Sequence, residues 1–125
     1  MSKKYKSSWV LYGALLGALG VAMGAFGAHA LRDSLTDHYL QVYETASKYM
    51  LLHAVLITSL GVSGKDDIPR ASLWSLCVGV CIFSISLWVL AITQIKWLGA
   101  ITPIGGVLLI IGWLRLAWWG RNGGS

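Results

Sequence analysis

Apolar residues fill four long stretches of this chain, and short polar segments separate them. Each stretch holds about 20 predominantly apolar residues, the length that an α-helix needs to cross a hydrocarbon core of ~30 Å. The predicted spans are approximately residues 9–31, 37–62, 71–92 and 97–119. The pattern therefore predicts an all-α polytopic membrane protein, in which residues 1–125 form a single four-transmembrane-helix bundle.

Small residues recur at a helical period within the first span. The glycines follow one another at spacings of four, three, four and three residues: Gly13, Gly17, Gly20, Gly24 and Gly27. In water each would cost a helix about 1 kcal/mol relative to alanine, but in lipid a row of small residues lets two helix backbones approach closely. A mean spacing of about 3.5 residues places all of them on one stripe of a left-handed helix pair. We predict that this stripe, the glycine seam, is a helix-packing surface.

The second span carries a stripe of larger residues at a similar period. Its members are Tyr39, Tyr43, Ala46, Met50, His53 and Ile57. Large side chains fill the space that glycines leave, so this stripe is predicted to face the glycine seam. Ser34 or Thr36 could cap the helix and Asp37 is favourable at a helix N-terminus, so the second helix is expected to begin near Asp37.

A proline and two glycines lie near the start of the fourth span. We expect Pro103, followed by Gly105 and Gly106, to kink the helix about one turn after its start. The bend should face protein, because the freed carbonyls need another donor in lipid. The connection from Thr93 to Lys96 is very short, so the third and fourth helices are expected to form an antiparallel hairpin.

Composition and charge agree with a membrane protein. The chain is 56% hydrophobic and 12% charged, with a mean hydropathy of +0.66. With four spans, seven of the ten Lys and Arg residues lie on the side of the two termini. The positive-inside rule then places both termini in the cytoplasm. The net charge of +5 is thereby explained by topology, so we expect the lipid bilayer and not nucleic acid as a partner.

The two cysteines do not indicate redox or metal chemistry. Cys77 and Cys81 lie in the middle of the third span, and their spacing differs from that of a redox C-x-x-C motif. We interpret them as small packing residues. His29, Glu44 and His53 could supply three zinc ligands in number, but they are expected on separate faces. The sequence therefore predicts no metal and no cofactor.

A group of polar side chains near the outer interface of the first two helices needs an explanation, because ionisable groups there are costly unless they are paired. Glu44 and Lys48 can pair across one helical turn, and Tyr49 can reach His53 by the same spacing. A contact between His29 and Glu44, within the bundle or between subunits, is also compatible with their depths. The candidate polar cluster consists of His29, Glu44, Lys48, Tyr49, His53 and Thr102. Two interpretations remain open: a satisfied network that fixes helix register, or a proton relay, ligand pocket or metal site.

Two of the seven tryptophans lie deeper than an interfacial belt requires. We interpret Trp88 and Trp113 as packing or lipid-facing residues in preference to substrate-stacking residues.

Three blocks of the chain resemble the YgdD-like family, which is related to eukaryotic transmembrane protein 256. They are residues 24–31 (GAFGAHAL), residues 43–54 with the Tyr-Glu-Thr-Ala segment and His53, and residues 98–113 with the TPIGG segment. The resemblance implies a small four-span protein of the bacterial inner membrane with no assigned activity. The chain departs from the family pattern at Ala30, Met50 and Ile85. The loss of polarity at Met50 weakens the idea of a catalytic cluster that extends from His53.

These observations favour a structural or accessory membrane component with tight glycine-mediated packing, acting as a homo-oligomer or within a larger membrane complex. The alternative is a small transporter or channel that uses the polar cluster near the outer side. An enzyme would need a nucleophile or paired acids that converge on one cavity, so we predict no catalytic residues and no enzymatic activity. The discriminating feature is a polar cavity that reaches the midplane, which a transporter needs and a packing protein lacks.

Overall fold

The computed structural model describes the backbone of residues 3–123 and the side chains of residues 8–123. The helices are α1 (Lys3–Phe26), continued by a π-helical turn (Gly27–Leu31), then α2 (Asp37–Val62), α3 (Arg70–Thr93) and α4 (Thr102–Arg121). A 3-10 helix, Lys96–Ala100, precedes α4. Four helical segments are long and apolar enough to cross a membrane. The prediction of an all-α, four-span protein is confirmed.

The glycine seam runs from α1 into the π-helical turn and lies against α2, with little space at three of its positions. A Cβ added to Gly13 would overlap the Thr58 side chain, and one added to Gly27 would overlap the ring of Tyr43. A Cβ on Gly20 would lie 2.9 Å from Leu51 Cδ2. At this helix separation, Gly13 and Gly27 have no space for a larger residue.

Two glycines of the seam have more space around them. The nearest α2 atom to a Cβ at Gly17 would be Ala54 Cβ at 3.7 Å, an ordinary van der Waals distance. At Gly24 it would be Ser47 Cβ at 4.0 Å. Among the described glycines of this junction, main-chain atoms are met at only two positions: Thr58 N lies 2.7 Å from a Cβ on Gly13, and Val10 N lies 2.9 Å from a Cβ on Gly61 of α2. The separation of the two backbones is therefore set mainly at Gly13 and Gly61.

The surface of α2 that meets the seam differs from the predicted stripe by about one position. Tyr43 and Met50 contact seam positions, as expected, but the other contacts come from Ser47, Leu51, Ala54 and Thr58. Ala46 and His53 instead bond to α3 and α4. The prediction is correct for Tyr43 and Met50 and wrong for Ala46 and His53, because α2 buries two sides, one against α1 and the other against α3 and α4.

The third and fourth helices form the predicted antiparallel hairpin. Gln94 ends α3 in a left-handed conformation (φ 58°), and its N–H donates to Leu90 O at 2.7 Å. The two backbones then run close together: a Cβ on Gly105 would lie 2.7 Å from Gly79 O and 2.5 Å from Phe83 N. The Ser75 hydroxyl donates to Leu108 O at 2.5 Å.

The start of the fourth helix corrects a prediction. Residues 96–100 form a 3-10 helix, and α4 begins at Thr102, so Pro103 lies in its first turn and not one turn inside it. A proline is tolerated there, because the N–H that it lacks would have no partner within the helix. Pro103 therefore does not occupy the interior position from which it was expected to kink the helix.

The start of α2 follows the prediction. Thr36 is extended (φ −64°, ψ 162°), and its Oγ1 accepts a hydrogen bond from the N–H of Tyr39 at 3.3 Å. The helix begins at Asp37, whose carboxylate lies in the first turn.

Candidate functional site

The end of α1 opposite the chain termini widens into one turn of π-helix, Gly27–Leu31. Such turns are rare within α-helices and frequently occur at functional sites. Gly27, Ala28 and Ala30 have little or no side chain, so the backbone of this turn is open to its neighbours. The turn is followed directly by Arg32, which still has helical dihedral angles (φ −54°, ψ −42°).

Tyr43 of α2 holds this end of α1 in place. Its side chain is 1% exposed, its ring lies against Gly27, and its hydroxyl donates to Met23 O at 2.5 Å. Glycine at position 27 is what makes room for the ring. The bond links the last regular turn of α1 to α2 just before the π-helical turn begins.

Beside Tyr43, a cleft of about 430 Å³ separates the end of α1 from the first turns of α2. Its lining consists of Gly24, Gly27, Ala28, Arg32, Leu40, Tyr43, Glu44 and Ser47. A volume of this size falls within the range of about 300–1,000 Å³ that is typical of small-ligand pockets. We refer to it as the Arg32–Glu44 cleft.

Two opposite charges line the cleft without neutralising each other. Arg32 and Glu44 are both exposed. Across the described part of the chain, neither side chain forms a hydrogen bond or ion pair. A guanidinium and a carboxylate are therefore available to a ligand that carries both charges.

His53 belongs to a separate junction, deeper along α2. Its side chain is 5% exposed, its Nδ1 lies 2.8 Å from Tyr49 O, and its Nε2 lies 3.0 Å from the indole Nε1 of Trp113 on α4. Because the indole N–H can only donate, Nε2 is the acceptor and Nδ1 carries the proton that is donated to Tyr49 O. The arrangement describes a neutral imidazole with both nitrogens bonded.

Other deep polar groups of the described residues also bond across helices. The Trp88 indole donates to Ser47 Oγ at 3.0 Å, and Ser84 Oγ donates to Ala46 O at 2.8 Å. Thr102 Oγ1 and Ser86 Oγ lie 2.6 Å apart and connect α4 to α3. These bonds tie α2 to α3 and α3 to α4.

The predicted polar cluster is thus divided among separate places. Glu44 lines the cleft, Tyr49 and His53 belong to the Trp113 junction, and Thr102 pairs with Ser86. Lys48 is exposed and forms no ion pair with Glu44 within residues 8–123.

These positions test two of the expected contacts. His29 is exposed on the π-helical turn and does not bond to Glu44 within one chain, among the described side chains. A contact between the two residues across subunits stays a prediction. Tyr49, the partner expected for His53, bonds to it through its backbone oxygen, and the second bond comes from Trp113. Thr102, which we grouped with His53, bonds to Ser86 of α3 instead.

Sequence reasoning missed Arg32 and Trp113 as site residues. Arg32 was counted only among the ten Lys and Arg residues that set the topology. The cleft that it lines together with Glu44 is not visible in the sequence pattern. Trp113 could have been found. An indole N–H in the middle of a span needs an acceptor, and an imidazole at mid-span is a suitable one.

The fold and this site define a small four-span helical membrane protein with a charged cleft at one end. The family model described as "Protein of unknown function (DUF423)" matches residues 23–106, and the chain belongs to this family. The family membership confirms the resemblance that the sequence blocks indicated.

Relatives from staphylococci extend the match over most of the chain. A UPF0382 membrane protein of Staphylococcus aureus (strain bovine RF122 / ET3-1) is 46% identical over 110 residues, which cover 86% of this chain and 90% of the relative. UPF0382 membrane proteins of Staphylococcus saprophyticus and Staphylococcus haemolyticus are 46% and 47% identical, covering 86% of this chain and 92% and 90% of the relatives. No solved structure matches the chain significantly.

Proposed function

We propose that this protein is a structural or accessory component of the membrane, in which glycine-mediated packing holds a rigid bundle that assembles as a homo-oligomer or with a larger membrane complex. The observation that carries this proposal is the bonding of the deep polar groups. The His53 imidazole, the Trp88 indole and the Ser84 hydroxyl each bond to another helix or to the backbone. Polar groups used in this way fix the register of helices in lipid.

A transporter or channel receives less support from the same geometry. Its polar path would have to reach the midplane of the membrane. The deepest lining residues of the Arg32–Glu44 cleft are Gly24 and Ser47. Gly24 precedes Leu31 by seven residues, about 10 Å along a helix. The cleft is therefore a recess at one end of the bundle.

The proposal includes the absence of enzymatic activity. His29, Glu44 and His53, the candidate acid and base residues, lie at separate places in the structure, and acid–base catalysis requires them to converge on one substrate. It also includes a bacterial inner-membrane location with both termini in the cytoplasm, supported by the distribution of basic residues.

Copurification from native membranes tests the proposal. The protein, extracted with its surrounding lipid by a styrene–maleic acid polymer, is expected to run above its monomer mass and to contain either copies of itself or a partner at fixed stoichiometry. Native mass spectrometry of the extracted particles measures that stoichiometry.

Flux assays in proteoliposomes test the alternative, a transporter or channel. We expect no proton or solute flux above that of empty liposomes. The structural role would be contradicted by a monomer without partners that carries flux. The transporter would be favoured if that flux is lost in His53→Leu and unchanged in Trp118→Phe, at the exposed end of α4.

A further inference from the structure

We propose that the Arg32–Glu44 cleft binds the headgroup of an aminophospholipid, with the lipid phosphate at the Arg32 guanidinium and the primary amine at the Glu44 carboxylate. One of the lipid's two acyl chains would lie in an apolar groove between α1 and α2, on the same side of the junction as the cleft. This inference goes beyond the proposed structural role and does not depend on it.

The two charges that line the cleft are complementary to a zwitterionic ligand. Arg32 and Glu44 together contribute one positive and one negative charge to the lining. Guanidinium groups bind phosphate oxygens with paired N–H donors, and a carboxylate accepts hydrogen bonds from an ammonium group. An anionic ligand without an amine would leave Glu44 unpaired and repelled, and a simple cation would do the same to Arg32.

The shape of the α1–α2 junction fits a lipid. An apolar groove of about 610 Å³ is lined by Gly13, Ala14, Gly17, Val21, Leu51, Ala54, Val55, Thr58, Ser59, Val62 and Ser63. On α1, positions 14, 17, 21, 24 and 28 recur at helical spacing, and the last two line the cleft. On α2, positions 44, 47, 51, 55 and 58 do the same. The charged cleft and the apolar groove therefore lie on the same side of the junction, one below the other.

The distance from the cleft into the groove also suits one lipid chain. Ten residues separate Gly24 in the cleft from Ala14 in the groove, about 15 Å along a helix. One leaflet of a bilayer with a hydrocarbon core of ~30 Å has the same depth. A headgroup held at Arg32 and Glu44 would thus place an acyl chain beside Gly17 and Val21.

The glycine at the floor of the cleft leaves unfilled space. The nearest heavy atom to a Cβ at Gly24 would be Ser47 Cβ at 4.0 Å, whereas Gly27, one turn away, is filled by the Tyr43 ring. A Cβ at position 24 therefore fits without displacing α2. Because Gly24 lines the cleft, we expect the rest of a leucine side chain in Gly24→Leu to occupy the cleft.

Native mass spectrometry of the purified protein with four lipids of identical acyl chains tests the proposal. The lipids are phosphatidylethanolamine, phosphatidylcholine, phosphatidylglycerol and cardiolipin. We expect the wild-type protein to retain phosphatidylethanolamine about tenfold better than phosphatidylcholine, whose quaternary ammonium group cannot donate a hydrogen bond to Glu44. Glu44→Gln should remove that preference, and Arg32→Gln should weaken the binding of both lipids.

Gly24→Leu should abolish retention, and Gly106→Leu is its matched control. Gly106 lies on α4, where the nearest atom to a Cβ would be Phe83 Cδ2 at 3.8 Å, away from the groove. Melting temperatures in detergent identify any variant that fails to fold. Arg32→Gln and Glu44→Gln change exposed side chains, so they test the proposal independently of the glycine variants.

Equal retention of all four lipids, or an unchanged preference in Glu44→Gln, would overturn the proposal. Binding of free phosphoethanolamine by a protein that retains no lipid would also contradict it, because the occupant would then be a soluble zwitterion.

Discussion

Single side chains in this bundle act through bonds that cross between helices. Trp113 is 48% exposed, yet its indole N–H points to His53 Nε2 at 3.0 Å, so one edge of the ring belongs to the interior. Tyr43 performs a similar task at the other junction, where its hydroxyl reaches Met23 O. In lipid, such bonds replace the water that would otherwise satisfy each polar group.

Removal of the indole donor should therefore destabilise the bundle. Trp113→Phe leaves His53 Nε2 without a partner, and we expect the free energy of unfolding to fall by about 1 kcal/mol. Unfolding in detergent micelles, followed by circular dichroism, measures the change. Trp118→Phe is the matched control, because Trp118 is 69% exposed and should tolerate the loss.

A double-mutant cycle tests whether the Trp113–His53 hydrogen bond contributes to stability. His53→Leu combined with Trp113→Phe removes both partners, and the loss should be smaller than the sum of the two single losses by at least about 0.5 kcal/mol. Additive losses would show that the Trp113–His53 bond contributes nothing to stability.

At the scale of whole helices, a few glycines determine how closely two helix backbones approach. Backbone contact at Gly13 and Gly105 is so close that a methyl group would reach main-chain atoms, Thr58 N at 2.7 Å in the first case and Phe83 N at 2.5 Å in the second. Gly17 and Gly106 belong to the same helices, but the nearest atoms there would lie at 3.7 Å and 3.8 Å. Glycines that look equivalent in the sequence therefore differ in how closely they pack against the neighbouring helix.

Two matched pairs of alanine variants should separate these classes of glycine. Gly13→Ala and Gly105→Ala are each expected to lower the free energy of unfolding by about 1–3 kcal/mol, because a backbone must move. Gly17→Ala and Gly106→Ala should leave it unchanged or raise it by up to about 1 kcal/mol, since alanine favours the helix. Thermal unfolding in one detergent compares all four. Equal losses within a pair would mean that helix separation is not fixed at Gly13 or Gly105.

The sequence predicts the elements better than their angular phases. The four spans follow from apolar length, and the start of α2 follows from Thr36 and Asp37, because these signals are local. The partner of the glycine seam was misjudged by one position, since α2 is apolar on two sides and the choice depends on where α3 packs. Pro103 was placed inside α4 because the apolar span begins before the α-helix does.

At the scale of the whole molecule, the site depends on features that no local pattern contains. Glu44 was recognised from its cost in the membrane, but the cleft that it shares with Arg32 combines residues of α1, the π-helical turn and α2. His53 was recognised for the same reason, whereas Trp113 lies 60 positions further along the chain. Residues from distant helices meet only after the bundle has formed.

The orientation of the molecule decides which leaflet supplies a lipid to the cleft. An even number of spans puts both termini at one end, and the cleft lies at the other, next to the segment that joins α1 to α2. Because seven of the ten Lys and Arg residues lie at the terminal end, that end should face the cytoplasm.

Cysteine labelling with a membrane-impermeant maleimide tests this orientation. In a background with Cys77→Ala and Cys81→Ala, we expect Ser34→Cys to react in intact cells, because it lies in the exposed α1–α2 segment. Ser2→Cys, which lies outside the described residues, should react only after the membrane is permeabilised. Labelling of Ser2→Cys in intact cells, with Ser34→Cys protected, would reverse the topology and place the Arg32–Glu44 cleft in the cytoplasmic leaflet.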